Sequence, residues 1–276
     1  MAEAHPVGFQ WVMEARHRGA KVLHVDPRFS RTSALADLHV PIRPGSDIAF
    51  LGGLVNWVLT NNREFREYVV AYTNAAVIID ERYVDAEDGD GLFSGWDPDG
   101  RRYDPSSWQY QGMRVAAASG NRELTAKPVH NAANDPELHG AIGAPLEAEQ
   151  HPEVDLTLTH PRCVFQIVKR HFARYTPAMV AEACGVPEAQ FNEVAEALCA
   201  NSGRERTSGF AYAVGWTQHT VGAQSIRTAA ILQLLLGNIG RPGGGILALR
   251  GHASIQGSTD VPTLYHSIHG YMSAPT

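Results

Sequence analysis

The most chemically loaded stretch is Leu249-Arg250-Gly251-His252-Ala253-Ser254-Ile255-Gln256-Gly257-Ser258-Thr259-Asp260, where polar groups alternate with small residues and have little apolar company. Arg250 offers a planar, permanently charged fork that suits a small carboxylate. His252 follows two residues on, and histidine is the side chain that changes charge nearest neutral pH. The plain alternative is an exposed, solvated loop. A second cluster is Gly215-Trp216-Thr217-Gln218-His219-Thr220, lying between an expected strand and an expected helix. Open α/β sheets bind ligands beyond such strand C-terminal ends, and the free N–H groups of a helix N-terminus bind phosphate. A lone histidine is more often structural, but Trp, Gln and His in one loop favour a ligand site.

Three further stretches each allow two readings. In Val25-Asp26-Pro27-Arg28, at a strand end, Asp26 could accept both hydrogen bonds of a ribose diol or simply open a turn. The tetrapeptide alone favours the turn. In Arg43-Pro44-Gly45-Ser46-Asp47, Gly45 permits a tight turn, and Ser46 or Asp47 could cap the helix that follows. Alternatively, the two acceptor oxygens of Asp47 match the N1–H and N2–H edge of guanine. In Gly237-Asn238-Ile239-Gly240-Arg241-Pro242-Gly243-Gly244-Gly245, a helix C-cap accounts for Gly237 or Gly240. The three successive glycines exceed that need and suggest backbone lying close to a flat ligand at Gly244. Neither a G-x-G-x-x-G fingerprint nor a P-loop is present.

Positioning these groups requires a particular order of elements. Pro6 suits a first helical turn, and Val7, Trp11, Val12 and Ala15 recur at helical spacing, so residues 6–18 read as a helix stopped by Gly19. Residues 21–25 read as a short buried strand and 39–42 as a second, followed by a helix over 47–60. That order is half of an open α/β sheet. Residues 63–74 read as helical, and 85–155 as an irregular insertion or a linker dense in Asp, Gly, Pro, Asn and Ser. A helix follows Pro161, and a second opens on Thr176 as N-cap and stops at Gly185. A third runs from Pro187 to about Ala200, residues 207–215 form a buried strand, and a long apolar helix reaches Leu236. The expected fold class is α/β, with open, mostly parallel sheets and flanking helices, in segments 1–84, 85–158 and 159–276.

Composition narrows the classes. The 276 residues are 44% hydrophobic, enough for a sizeable core, and carry a net charge of −6 from 23 basic and 29 acidic side chains. That balance gives no general reason to bind nucleic acid. Cys163, Cys184 and Cys199 form no C-x-x-C pair and lie in apolar helical stretches, so core packing is expected of them and no metal ligand. The first residues lack the pattern of a signal peptide, and the apolar run Thr228–Leu236 is too short to span a bilayer. The chain itself reads as soluble.

The motifs, in this order, resemble the molybdopterin-guanine-dinucleotide oxidoreductases, and most closely the large subunit of respiratory formate dehydrogenases of the N and O type. The resemblance is carried by Val25–Ser33, Pro41–Asp47, Tyr212–Gly222 and Arg250–Gly257, and it is weakest over 85–155. It implies a bis-(molybdopterin guanine dinucleotide) cofactor with molybdenum or tungsten. Asp26, Arg28, Thr32, Gly45 and Asp47 would then hold one guanosine end, while Gly215, Thr217, Gln218, His219, Gly244 and Gln256 would lie along a pterin or its phosphates. Arg250 would orient formate, with His252 tuning it or relaying a proton. The family's cysteine motif for a [4Fe-4S] cluster and its selenocysteine or cysteine metal ligand are not in this sequence. The resemblance therefore implies an internal piece of a longer subunit, inactive alone. The longer subunit is expected to partner an iron–sulfur subunit and a membrane cytochrome b subunit in a periplasmic, membrane-associated complex.

Overall fold

The computed structural model describes residues 1–113 and 152–251, and two short strands at 267–268 and 272–273. The chain begins α1 (Pro6–His17), β1 (Leu23–Val25), α2 (Arg31–Ala34), β2 (Leu38–Val40), α3 (Asp47–Thr60), α4 (Arg66–Tyr72). Next come β3 (Trp96–Asp97), β4 (Arg102–Tyr103), a 3-10 turn at Pro105–Ser107, α5 (Val164–Phe172), α6 (Pro177–Cys184) and α7 (Glu188–Ala200). The remainder is β5 (Gly209–Tyr212), α8 (Val214–Thr217), α9 (Gly222–Leu235), β6 (Gly245–Ala248), β7 (Ser267–Ile268) and β8 (Met272–Ser273). Two units are formed, one from Met1–Thr73 and Val168–Ala248, the other from Asn74–Ile167 and Leu249–Thr276.

The first unit is α/β, with small parallel sheets and flanking helices. β1 pairs with β2 in parallel, setting Leu23, His24 and Val25 opposite Leu38, His39 and Val40. β5 pairs with β6 in parallel, from Gly209 opposite Gly245 to Tyr212 opposite Ala248. The core is built around α3, which packs on α9, α6 and α7 and is buried over nearly its whole length. Two mid-helix glycines make that approach possible. A Cβ on Gly53 would meet Val180 Cγ2 at 2.4 Å and Phe191 Cζ at 3.0 Å, and one on Gly52 would meet the Tyr175 ring at 2.9 Å. The helix-propensity cost of about 1 kcal/mol per glycine is offset by the burial those contacts bring.

Local signals fix the helix ends. Thr176 Oγ1 accepts the Met179 N–H at 3.2 Å, and Gly185 closes α6 in the left-handed region at φ 69°. Arg43 then satisfies the end of α6. Its guanidinium donates to Glu182 O at 2.9 Å and Ala183 O at 2.7 Å, and its own N–H donates to Cys184 O at 2.8 Å. A cation at a helix C-terminus also meets the negative end of the dipole.

A buried polar bridge ties β5 to β6. The Gln233 amide, fully buried on α9, donates to Ser208 O at 3.0 Å and to Gly245 O at 2.9 Å. Its Oε1 accepts from Asn238 Nδ2 at 2.6 Å, and Asn238 also donates to Ser202 Oγ at 3.0 Å.

The structure corrects several expectations. The strand foreseen over 207–215 ends at Tyr212, because Ala213 turns the backbone (φ −139°, ψ −134°) and Val214–Thr217 coil into α8. Trp216 folds back to stack on Tyr212, ring centroids 4.9 Å apart. β1 and β5 are only half-buried, since each belongs to a sheet of two strands among the described residues. Cys163 lies in a bridge to Ile78, just before α5, and not on a helix.

In the second unit, the described part of 85–155 holds the β3–β4 hairpin, the 3-10 turn, and isolated bridges from Tyr110 to Ile79 and from Val154 to Val77. Aromatic rings bind the hairpin and the 3-10 turn together. Trp96 meets Tyr103 at 5.0 Å, Tyr103 meets Trp108 at 5.5 Å, and Phe93 meets Trp108 at 6.0 Å. Among the described residues no helix is long and apolar enough to cross a membrane.

Candidate functional site

The parallel registers send the polar loops out from strand C-terminal edges. Asp26 directly follows β1 and Pro41 directly follows β2. The segments Asp26–Thr32 and Pro41–Asp47 thus leave one edge, where open α/β sheets place ligands. At the β5–β6 edge, Tyr212 stands opposite Ala248, and α8 begins two residues after Tyr212; Arg250 belongs to the second unit.

At the first edge, Asp26 does two things. Its Oδ1 accepts the Arg28 N–H at 2.7 Å, which is the turn, while Oδ2 lies 3.7 Å from His24 Nε2. The Arg28 side chain is exposed and has no partner among the described residues. Thr32 is buried, and its hydroxyl oxygen accepts from the Ala2 N–H and the Met1 amino group at 3.0 Å each. Gly45 turns the chain at φ +82° with open space beside it. Neither expected cap is made. Ser46 Oγ instead donates to Arg43 O at 2.6 Å, and no side-chain hydrogen bond caps α3. Asp47, the first residue of α3, is half-buried and its carboxylate has no hydrogen-bond or ion-pair partner among the described residues.

At the second edge, the apolar member of the loop is packed and the polar members are free. Thr217, Gln218 and His219 are exposed without side-chain partners among the described residues. A Cβ at Gly215 would meet nothing within 4 Å. The glycine run has needs of its own within the chain. Gly243 and Gly245 have φ +77° and +96°, and a Cβ on Gly244 would lie 2.1 Å from Asn238 O. The close approach at Gly244 is therefore to the chain's own carbonyl. Arg250 is exposed, with no partner among the described residues. His252 and Gln256 lie outside the described residues.

Sequence reasoning passed over His24, His39 and Ser33. A signal was present, since the triplet Leu-His-Val occurs in both β1 and β2. His24 Nδ1 lies 2.9 Å from Ser33 Oγ, and His39 Nε2 lies 2.9 Å from Asp26 O. Burial pushes His24 below the usual histidine range; Asp26 opposes this, while His39 and the Met1 amino group reinforce it. The three cysteines are buried and free, and burial pushes all three thiols up, Cys199 to about 11. Among the described residues no group of three or more His, Cys, Asp or Glu could hold a metal ion.

Comparison with known proteins shows the family that the motifs resemble. A family model described as "Molybdopterin oxidoreductase" matches residues 1–269. The formate dehydrogenase-O major subunit and the nitrate-inducible formate dehydrogenase major subunit of Escherichia coli K12 are each 46% identical over 276 residues. Each match covers 100% of this chain and 24% of the relative. Formate dehydrogenase 2 subunit alpha (cytochrome c-553) of Nitratidesulfovibrio vulgaris is 44% identical over 274 residues, 99% of this chain and 23% of the relative. The chain spans about a quarter of the length of the curated relatives it matches. It belongs to the molybdopterin oxidoreductase family.

Proposed function

We propose that the chain is part of the catalytic subunit of a formate dehydrogenase, and that it supplies part of the cradle for a bis-(molybdopterin guanine dinucleotide) centre. The observation that carries the reading is 46% identity over every residue of the chain to two formate dehydrogenase major subunits. The donor set fits such a group. Asp47 has two acceptor oxygens with no partner among the described residues, which complement the two N–H donors of guanine. Thr217, Gln218 and His219 are likewise free to hydrogen-bond a pterin or phosphate edge. When bound, the metal–pterin centre, with molybdenum or tungsten, accepts two electrons.

Arg250 then holds the substrate. Formate loses two electrons and a proton and leaves as carbon dioxide. An exposed guanidinium with no protein partner among the described residues can grip the carboxylate through two parallel hydrogen bonds and fix the direction of the C–H bond. His252 tunes Arg250 or relays the released proton. In the longer subunit, a [4Fe-4S] cluster, an iron–sulfur subunit and a membrane cytochrome b subunit carry the electrons away, and the complex is periplasmic.

The test is Arg250→Lys in the full-length subunit, which keeps the charge and removes the fork. Formate turnover is expected to fall about 100-fold or more, the scale of losing one aligned electrostatic donor, with metal and pterin content unchanged. Unchanged kinetics would take Arg250 out of the mechanism.

A further inference from the structure

The two Leu-His-Val triplets put His24 and His39 directly opposite one another on β1 and β2, with ring centroids 5.8 Å apart. Both rings reach the turn that follows β1. His39 Nε2 lies 2.9 Å from Asp26 O. A carbonyl only accepts, so this nitrogen carries the proton and donates. Phe29, later in the same turn, packs T-shaped with the His39 ring, centroids 5.3 Å apart. The His39 carbonyl is itself held by Gln190 Nε2 of α7 at 2.9 Å. His39 thus links the turn to the helix layer.

His24 grips the other end. The Ser33 hydroxyl already accepts the Ser30 N–H at 2.9 Å, and its proton is free to go to His24 Nδ1, 2.9 Å away. That arrangement leaves the His24 Nε2–H near Asp26 Oδ2, at 3.7 Å, too far for a hydrogen bond. Burial disfavours the charged form of the ring. Asp26 Oδ1 is taken by the turn, and Oδ2 remains open.

We propose that His24 and His39 are positioning residues for a nucleotide-binding carboxylate: together they fix the Asp26–Ser33 turn so that Asp26 Oδ2 is available to the sugar hydroxyls of a guanosine nucleotide. The inference rests on the reading of this edge as a guanosine site, and extends it to two side chains that touch no ligand themselves. The histidines act through the backbone of Asp26 and the hydroxyl of Ser33. A donor in place of His39 Nε2 and an acceptor in place of His24 Nδ1 should therefore restore what an apolar replacement loses.

The experiment titrates GDP into the full-length subunit prepared free of cofactor, with circular dichroism confirming the fold of each variant. His39→Phe keeps an aromatic ring against Phe29 and removes the donor. Its Kd is expected to rise about tenfold, the scale of one well-placed hydrogen bond. His39→Gln, whose amide nitrogen reaches the same place, is expected to stay within about twofold of the parent. His24→Leu and His24→Asn form a second pair with the same expected contrast, and they decide the matter if His39→Phe fails to fold. Asp26→Ala reports on the underlying reading. If Asp26→Ala weakens GDP and the apolar histidine variants do not, the positioning role is wrong. If the Gln and Asn variants are as weak as their apolar counterparts, ring packing and not hydrogen bonding is what matters, and the proposal falls. If Asp26→Ala leaves GDP binding unchanged, the guanosine reading of this edge fails and takes the inference with it.

Discussion

Replacing Gln233 with Leu asks whether a buried polar bridge, and not the two-strand ladder alone, holds β5 against β6. Leu keeps nearly the same volume and removes three hydrogen bonds: those to Ser208 O and Gly245 O, at 3.0 and 2.9 Å, and the one accepted from Asn238 at 2.6 Å. Each such bond contributes about 1 kcal/mol net, and a buried partner left without one costs about 1–3 kcal/mol. The stranding is incomplete, because Asn238 keeps Ser202 Oγ. The better burial of an apolar side chain returns some of the loss. The sum is a loss of about 3 kcal/mol, a large part of the roughly 5–15 kcal/mol that holds a domain folded. Urea unfolding followed by circular dichroism should show a lower midpoint with an unchanged slope. Adding Asn238→Leu should cost less than it does alone, because the two amides share a bond. A Gln233→Leu chain within about 0.5 kcal/mol of the parent would show that the bridge is incidental, since changes of that size are typical of inconsequential surface positions.

Gly53→Ala sets helix propensity against packing. Alanine gains about 1 kcal/mol as a helix former, but its Cβ would stand 2.4 Å from Val180 Cγ2 and 3.0 Å from Phe191 Cζ. Both neighbours are fully buried, so overpacking of about 1–3 kcal/mol should win; a raised Tm in thermal melts would contradict this. Cys199 gives a pH signature. Its thiol is pushed from 9.0 to about 11, mainly by burial, with Glu196 reinforcing and Arg63 opposing. The unfolded chain therefore loses this proton first, and stability should fall as pH rises from about 9 to about 11, by at most about 3 kcal/mol for this group. Cys199→Ala should flatten that part of the curve in urea melts taken from neutral to alkaline pH. Parallel curves for parent and variant would rule the assignment out.

The helices were legible because their signals are local. The span 47–60 was foreseen as it stands, and so were Thr176 as a cap and Gly185 as a stop. What fixes α3 in the core was not legible. The glycines at 52 and 53 read as weak helix formers until Tyr175, Val180 and Phe191 are known to press on them, and those neighbours lie more than a hundred positions away. Gln233 was equally silent, since a buried glutamine and a solvated one look alike in sequence. The strand expected to reach residue 215 failed for a related reason. Its apolar run continues past Tyr212, but the backbone turns at Ala213 and coils into α8, where Trp216 stacks back on Tyr212.

The site shows where two readings of one residue are compatible. Asp26 could be a turn former or a ligand-binding carboxylate, and the sequence treats these as rivals. In the structure the turn uses only one oxygen, with Oδ1 accepting the Arg28 N–H and Oδ2 left open beside His24. Asp47 separates in the same way from Ser46. The serine returns to the Arg43 carbonyl, and the aspartate, at the positive end of α3, keeps both oxygens. Arg43, in the middle of that motif, is committed to the end of α6. Within each motif the groups needed for folding and those left over can therefore be told apart. Arg43, Ser46, Thr32 and the glycines at 243–245 have partners or backbone demands inside the chain. Asp47, Thr217, Gln218, His219 and Arg250 have none among the described residues. A fold that keeps a half-buried carboxylate without a partner forgoes stability that hydrogen bonding or pairing would bring. The left-over groups are therefore the ones to substitute when binding is measured, and the committed ones when stability is.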